Sequence, residues 1–120
     1  MICYGNWSRE FGYYAAEKLI SNGVRTIFSM NDTMAAGVYD YAIENNCFVG
    51  KDLLIGGIGS EISDYMRPKL TTIKLPLYDM GKMAAKVIFE IVNSGYSSSS
   101  EISYVQGKMI NEDQGSILGC

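Results

Sequence analysis

The chain has 120 residues, enough for one domain but not two. Ten Lys+Arg against 13 Asp+Glu give a net charge of −3, without the basic footprint of a nucleic-acid-binding surface. Without histidine, the sequence excludes a Ser-His-Asp triad, a Cys-His dyad and a His-bearing zinc site. Cys3, Cys47 and Cys120 are odd in number and form no C-x-x-C, which argues against a disulfide framework and a zinc ribbon and for a reducing compartment. The first residues have neither a basic nor an apolar leader region, and no apolar run approaches the ~20 residues that span a bilayer. These features predict a soluble cytoplasmic protein with no membrane partner.

In chain order, the apolar triplet Ile2-Cys3-Tyr4 predicts a buried strand, ended by Gly5-Asn6. Ser8 is suited to cap a helix whose apolar face carries Phe11, Ala15 and Leu19 beside Gly12, Ala16 and Ile20. Asn22-Gly23 stops it. Thr26-Ile27-Phe28-Ser29-Met30 reads as the next strand, and Asn31 or Asp32 as the cap of a helix with Met34, Ala35, Val38 and Ala42 inside. Leu53-Leu54-Ile55 predicts a third strand, with Gly56-Gly57-Ile58-Gly59 as a tight bend after it and one helical turn over residues 61–65. Leu70-Thr71-Thr72-Ile73 is a β-branched fourth strand. Pro76 opens the most periodic helix, with Met80, Ala84, Val87, Ile88 and Ile91 on one face, ended by Asn93-Ser94-Gly95. The serine run at 97–100 reads as a loop tip. The alternation of Ile102, Tyr104 and Gln106 marks a final strand.

Strand and helix alternate with short connections, and the strands are apolar throughout. That pattern predicts an α/β fold, a doubly wound, mostly parallel sheet covered by helices. In such sheets ligands sit beyond the carboxyl ends of the strands. Those ends carry Asn6-Trp7, Asn31-Asp32 and Gly59-Ser60-Glu61. Trp7 is either a packing staple or a platform for a flat apolar face such as a sugar ring or a base. Asp32 is expected to cap the helix while Asn31 points its amide, donor and acceptor at once, into the cleft. Gly57-Ile58-Gly59 is only a fragment of a dinucleotide fingerprint, and no P-loop occurs. Asp52, Asp64 and Asp79 form no carboxylate pair, and no nucleophile stands with a base. The expectation is a protein that is not an enzyme and holds no metal or cofactor.

Four stretches together resemble one family: Gly5-Asn6-Trp7-Ser8; Ile27 through Gly37, with its Asn-Asp-x-Met-Ala-x-Gly run; Leu54-Ile55-Gly56-Gly57-Ile58; and Pro68-Lys69-Leu70-Thr71-Thr72-Ile73. Met80-Gly81 and Ala84-Ala85 follow on the last helix. Over residues 2–110 the chain resembles the C-terminal part of the effector-binding domain of the lactose repressor (LacI/GalR) family, which has the type I periplasmic-binding-protein fold.

The resemblance implies a partial domain: C-terminal-lobe units over residues 1–75, a helix at 76–95 belonging to the other lobe, a return strand at 101–112, and no DNA-binding domain. It implies a small-molecule effector, a sugar or related metabolite, bound between two lobes. DNA would be contacted only through a helix-turn-helix absent from this chain. Trp7 and Asn31 match effector-contacting positions, and Gly59 stands where the family usually has Asp, leaving Ser60 or Glu61 to substitute. The resemblance also implies homodimerisation, with Ala36, Tyr39, Tyr65 and Met66 as the interface candidates. Asn111-Glu112-Asp113 departs from the Arg that commonly follows the family's last strand. The same resemblance leaves open a solute-binding protein of a transporter or a sensor fused to another signalling output. A phosphoacceptor receiver lacks its acidic residues here.

Overall fold

A computed structural model describes residues 1–59, 62, 65, 66, 70–94 and 102–110. Expectations for Ser60, Glu61, residues 97–100 and 111–113 and Cys120 lie outside the described residues. The chain divides into two compact units, Met1–Lys74 with Met109 and Ile110, and Leu75–Lys108.

The first unit begins without the expected strand. Residues 2–4 are irregular; Ile2 and Tyr4 are exposed and only Cys3 packs on the core. The four-stranded sheet of the described residues, β1-β2-β3-β4, takes in no ladder partner from residues 2–4, so their apolar side chains alone do not make a strand. Helix α1 (Arg9–Ser21) then starts at Ser8, whose hydroxyl accepts from Phe11 N at 3.1 Å. It ends at Asn22, followed by Gly23 at φ 79°, a left-handed turn that glycine adopts without strain.

Strand β1 (Thr26–Phe28) leads into α2 (Asp32–Glu44), and α2 into β2 (Leu54–Gly59) and β3 (Thr71–Lys74). β1 pairs with β2 in parallel, with Ile27 opposite Ile55, and β2 with β3 in parallel, with Gly57 opposite Thr72. With β4 (Lys108–Ile110) the sheet order is β1-β2-β3-β4. The glycine run is therefore not a bend but continues β2 to Gly59. Within the return segment expected at 101–112, the strand lies at 108–110 rather than at Ile102 to Gln106, where Ile102 and Tyr104 are exposed and Val105 is half-buried.

Helix α2 is the centre of this unit. It packs on β2 with one side and on α1 with the other, so it buries five consecutive residues, Ala35 to Tyr39, rather than one stripe. Gly12 of α1 lies against the carbonyl of Met34, and Gly37 of α2 against the carbonyl of Arg9. These two glycines let the helix backbones touch. Around that contact Arg9 makes a bidentate bridge to Asp40 (Nε–Oδ2 2.5 Å, Nη2–Oδ1 2.7 Å), and Tyr13 donates to Glu44 Oε2 at 2.6 Å. The Tyr13 and Tyr41 rings meet edge to face at 5.3 Å. Ala16, Leu19, Ile27, Ala35, Val38, Leu53, Ile55 and Leu70 complete the core.

The second unit holds α3 (Leu77–Ser94), preceded by Pro76, whose carbonyl accepts from Met80 N at 2.9 Å. The expected apolar stripe is present but exposed. Met80, Met83, Ala84, Val87 and Ile88 line, with Ser103 and Val105, a groove of about 420 Å³.

Candidate functional site

The loop between Gly5 and α1 is built by short polar bonds. Asn6 Oδ1 accepts from the Ser8 hydroxyl at 2.7 Å and from Ser8 N at 3.3 Å. Between them Trp7 takes φ 67°, the left-handed region, which is an outlier for a bulky side chain and costs about 1–3 kcal/mol. Its side chain is 63% exposed, so burial of the indole does not hold it there. What holds it is the backbone: Asn31 Nδ2 donates to the Trp7 carbonyl at 3.2 Å.

Asn31 does two things. Its Oδ1 accepts from Met34 N at 2.7 Å, which makes it the N-cap of α2, with extended φ −151° and ψ 162°. An amide has two donor hydrogens and two acceptor lone pairs. Asn31 spends one of each on the backbone and keeps one of each. The assignment of the cap to Asp32 is thus corrected, because Asp32 is the first helical residue and its carboxylate turns inward. It is 4% exposed.

The carboxylate rests on the ends of β2 and β3. Thr72 Oγ1 donates to Asp32 Oδ1 at 2.9 Å, and Oδ2 is buried without a hydrogen-bond partner among the described residues. A Cβ at Gly57 would stand 2.5 Å from Oδ1, and one at Gly59 2.7 Å from Oδ2. The two glycines are absent side chains that make room for a carboxylate. Burial pushes the Asp32 pKa up, and the Thr72 hydroxyl, which favours the ionised form, pulls it partly back.

The structure therefore joins Trp7 to Asn31 through a hydrogen bond, and Gly59 to the same helix start through Asp32. Ser60 lies outside the described residues. Sequence reasoning missed Thr72 and Gly57. Their signal was the i, i+2 spacing of Gly57 and Gly59, which puts both on one strand face. Three of the four interface residues are also corrected: Ala36, Tyr39 and Met66 belong to the buried core, the first two because α2 has two packed sides. Tyr65 is 86% exposed. Among the described residues no three His, Cys, Asp or Glu side chains gather as metal ligands, and no helix is long and apolar enough to cross a membrane.

Residues 3–111 match the family described as periplasmic binding protein-like domain. The catabolite control protein A of Priestia megaterium is 32% identical over 102 residues, which are 82% of this chain and 31% of that protein. The ribose operon repressor of Escherichia coli K12 is 32% identical over 87 residues, 70% of this chain and 26% of that protein. The chain thus spans about a third or less of the length of these relatives. In fold, a LacI-family transcriptional regulator from Enterococcus faecalis V583, solved with bound ribose, superposes with a TM-score of 0.84 over 94% of this chain and 42% of that one, at 24% identity. The parallel sheet agrees with these likenesses, and the family match over residues 3–111 makes the assignment: the chain belongs to the periplasmic binding protein-like domain family.

Proposed function

We propose that the chain is part of the effector-binding module of a ligand-responsive transcriptional regulator, and that the effector is a sugar. Residues 1–75 then supply one lobe's face of the cleft, residues 76–95 belong to the other lobe, and residues 101–112 return. Membership of the family supports the regulator, and the ribose-related relatives support the sugar.

The observation that carries the reading is Trp7, exposed and held in a strained backbone by the Asn31 amide. Strain of this kind persists where the surroundings fix it and gathers at ligand clamps. An indole gives a sugar ring a flat apolar face and one N–H. The donor and acceptor left on Asn31 suit hydroxyls, which do both. Gly59 closes β2 at this rim, and Ser60, next in sequence, is the hydroxyl-bearing residue we assign to the same proposed site.

The mechanism is non-catalytic. The sugar favours one closure of the two lobes by its differential affinity for them, and so changes DNA binding by a helix-turn-helix outside these residues. The regulator works in the cytoplasm as a homodimer, with Tyr65 on the shared face. The test is a titration of Trp7 emission with D-ribose and a panel of pentoses and hexoses, on the longest chain in which these residues occur, any other tryptophan replaced by Phe. A saturable change with one sugar, lost in Asn31→Ala, is the expected result. A flat response across the panel overturns the sugar reading.

A further inference from the structure

The carboxylate of Asp32 is a buried titratable group that the ligand reading leaves unused. It sits where the start of α2 meets β2 and β3. Asp32 begins α2, directly after Asn31, which holds Trp7. Its Oδ1 is tied to Thr72 on β3, and both oxygens fill the space left by Gly57 and Gly59 on β2. The other groups around Gly57 are the Leu70 and Ala35 side chains. Asp32 is 4% exposed and Thr72 1% exposed, so neither is a surface accident.

The geometry points to Asp32 as a positioning residue that sets the distance between the Trp7–Asn31 part of the rim and the Gly59 end of β2. The inference rests on reading that rim as ligand-facing, but the device itself can be tested without a ligand. A buried carboxylate with only one oxygen satisfied is costly compared with an apolar contact. It is explained if its bond to Thr72 and its bulk against two glycines register the helix start on the strands. Asp32 then acts through Asn31 and Trp7 and need not touch the sugar.

Among the described residues, the groups shown against the carboxylate are Gly57 and Gly59 from β2 and Thr72 from β3. None of them titrates, and the Thr72 hydroxyl is the one partner that acts on its protonation. Protonation of Asp32 therefore changes the Thr72 bond and, through the helix start, the surroundings of Trp7. Trp7 is the only tryptophan of the sequence, so its emission reports this directly.

The experiment is a pH titration of Trp7 emission in the ligand-free 120-residue chain, for the natural sequence, Asp32→Asn, Thr72→Val and Thr72→Ser. Far-ultraviolet circular dichroism confirms folding at each pH. The expected result is a step in emission with a midpoint above the ordinary carboxylate range. It is lost in Asp32→Asn, moved to higher pH in Thr72→Val and restored by Thr72→Ser. If Asp32→Asn fails to fold, the Thr72 pair decides. A flat profile in the natural sequence, a step unchanged in Asp32→Asn, or equal midpoints in the Val and Ser variants overturns the inference. A ribose titration on the same protein is independent: a step that follows this pattern with no response to any sugar leaves the positioning role standing and removes the sugar.

Discussion

The backbone of Gly37 lies against the carbonyl of Arg9 so closely that a single methyl group placed on it overlaps that oxygen. Gly12 makes the reciprocal approach to Met34. Two helices meeting backbone to backbone cannot absorb a side chain without moving apart, and α2 is held on its other side by β2. Gly37→Ala and Gly12→Ala are each expected to cost about 1–3 kcal/mol, the usual range for overpacking. Urea unfolding followed by circular dichroism checks this as a lowered midpoint. Gly81→Ala is the matched control. It sits inside α3 with open space around it, and is expected to raise helicity by about 0.5–1 kcal/mol of local stability.

Asn31 separates capping from clamping. Asn31→Asp keeps an oxygen for Met34 N and puts a negative charge at the helix start, so α2 should keep its stability. It loses the donor to the Trp7 carbonyl. The expected outcome is a changed Trp7 emission maximum with an unchanged urea midpoint. Asn31→Ala loses both bonds and is expected to lower the midpoint as well, by about 0.5–2 kcal/mol.

The same helix start gives a dependence on acid. The folded-state pKa of Asp32 is raised above its ordinary value of 3.8 by burial. The folded state therefore binds the proton more tightly than the unfolded chain. Its contribution to stability is fully present below the ordinary value and is lost as pH rises through the folded one. Subtracting the urea midpoints of Asp32→Asn from those of the natural sequence cancels the other carboxylates. The difference is expected to fall with rising pH across that window and then level off.

At alkaline pH two tyrosines should ionise late. The bond to Glu44 pushes Tyr13 up to about 12, and burial pushes Tyr39 up to about 12. Both pKa values are raised, so the stability linked to the neutral phenols is present below about 10 and lost as pH climbs towards 12. Absorbance at the tyrosinate band is expected to show a late fraction, reduced by one residue in Tyr13→Phe.

Much of the fold was legible because it rests on local rules. Ser8 as a cap, Gly23 as a stop, and the strands expected at 26–30 and 70–73 and found at Thr26–Phe28 and Thr71–Lys74 follow from side-chain chemistry and period. The family likeness was carried by the same residues. The misses share one cause, which is that a residue's neighbours across space are not in its own stretch of chain. Asp32 and Asn31 are equally good caps in isolation, and only Thr72 and two glycines on other strands decide which turns inward. Ala36 and Tyr39 look like an outer face until α1 is laid on α2. Gly56 and Gly57 read as a bend because glycine usually breaks strands, whereas here Gly57 makes room for a carboxylate and Gly56 lies under the Phe28 ring.

The contact of Asp32 with Gly57 and Gly59 also constrains how such a sequence can change. The three positions behave as one unit of variation, since a side chain at 57 or 59 and a carboxylate at 32 compete for one volume. In this backbone a side chain at 59 therefore requires the carboxylate at 32 to move, and substitutions at the three positions are expected to be non-additive. The far end of the rim is in this sense shaped from beneath: what the end of β2 can carry is decided at the start of a helix.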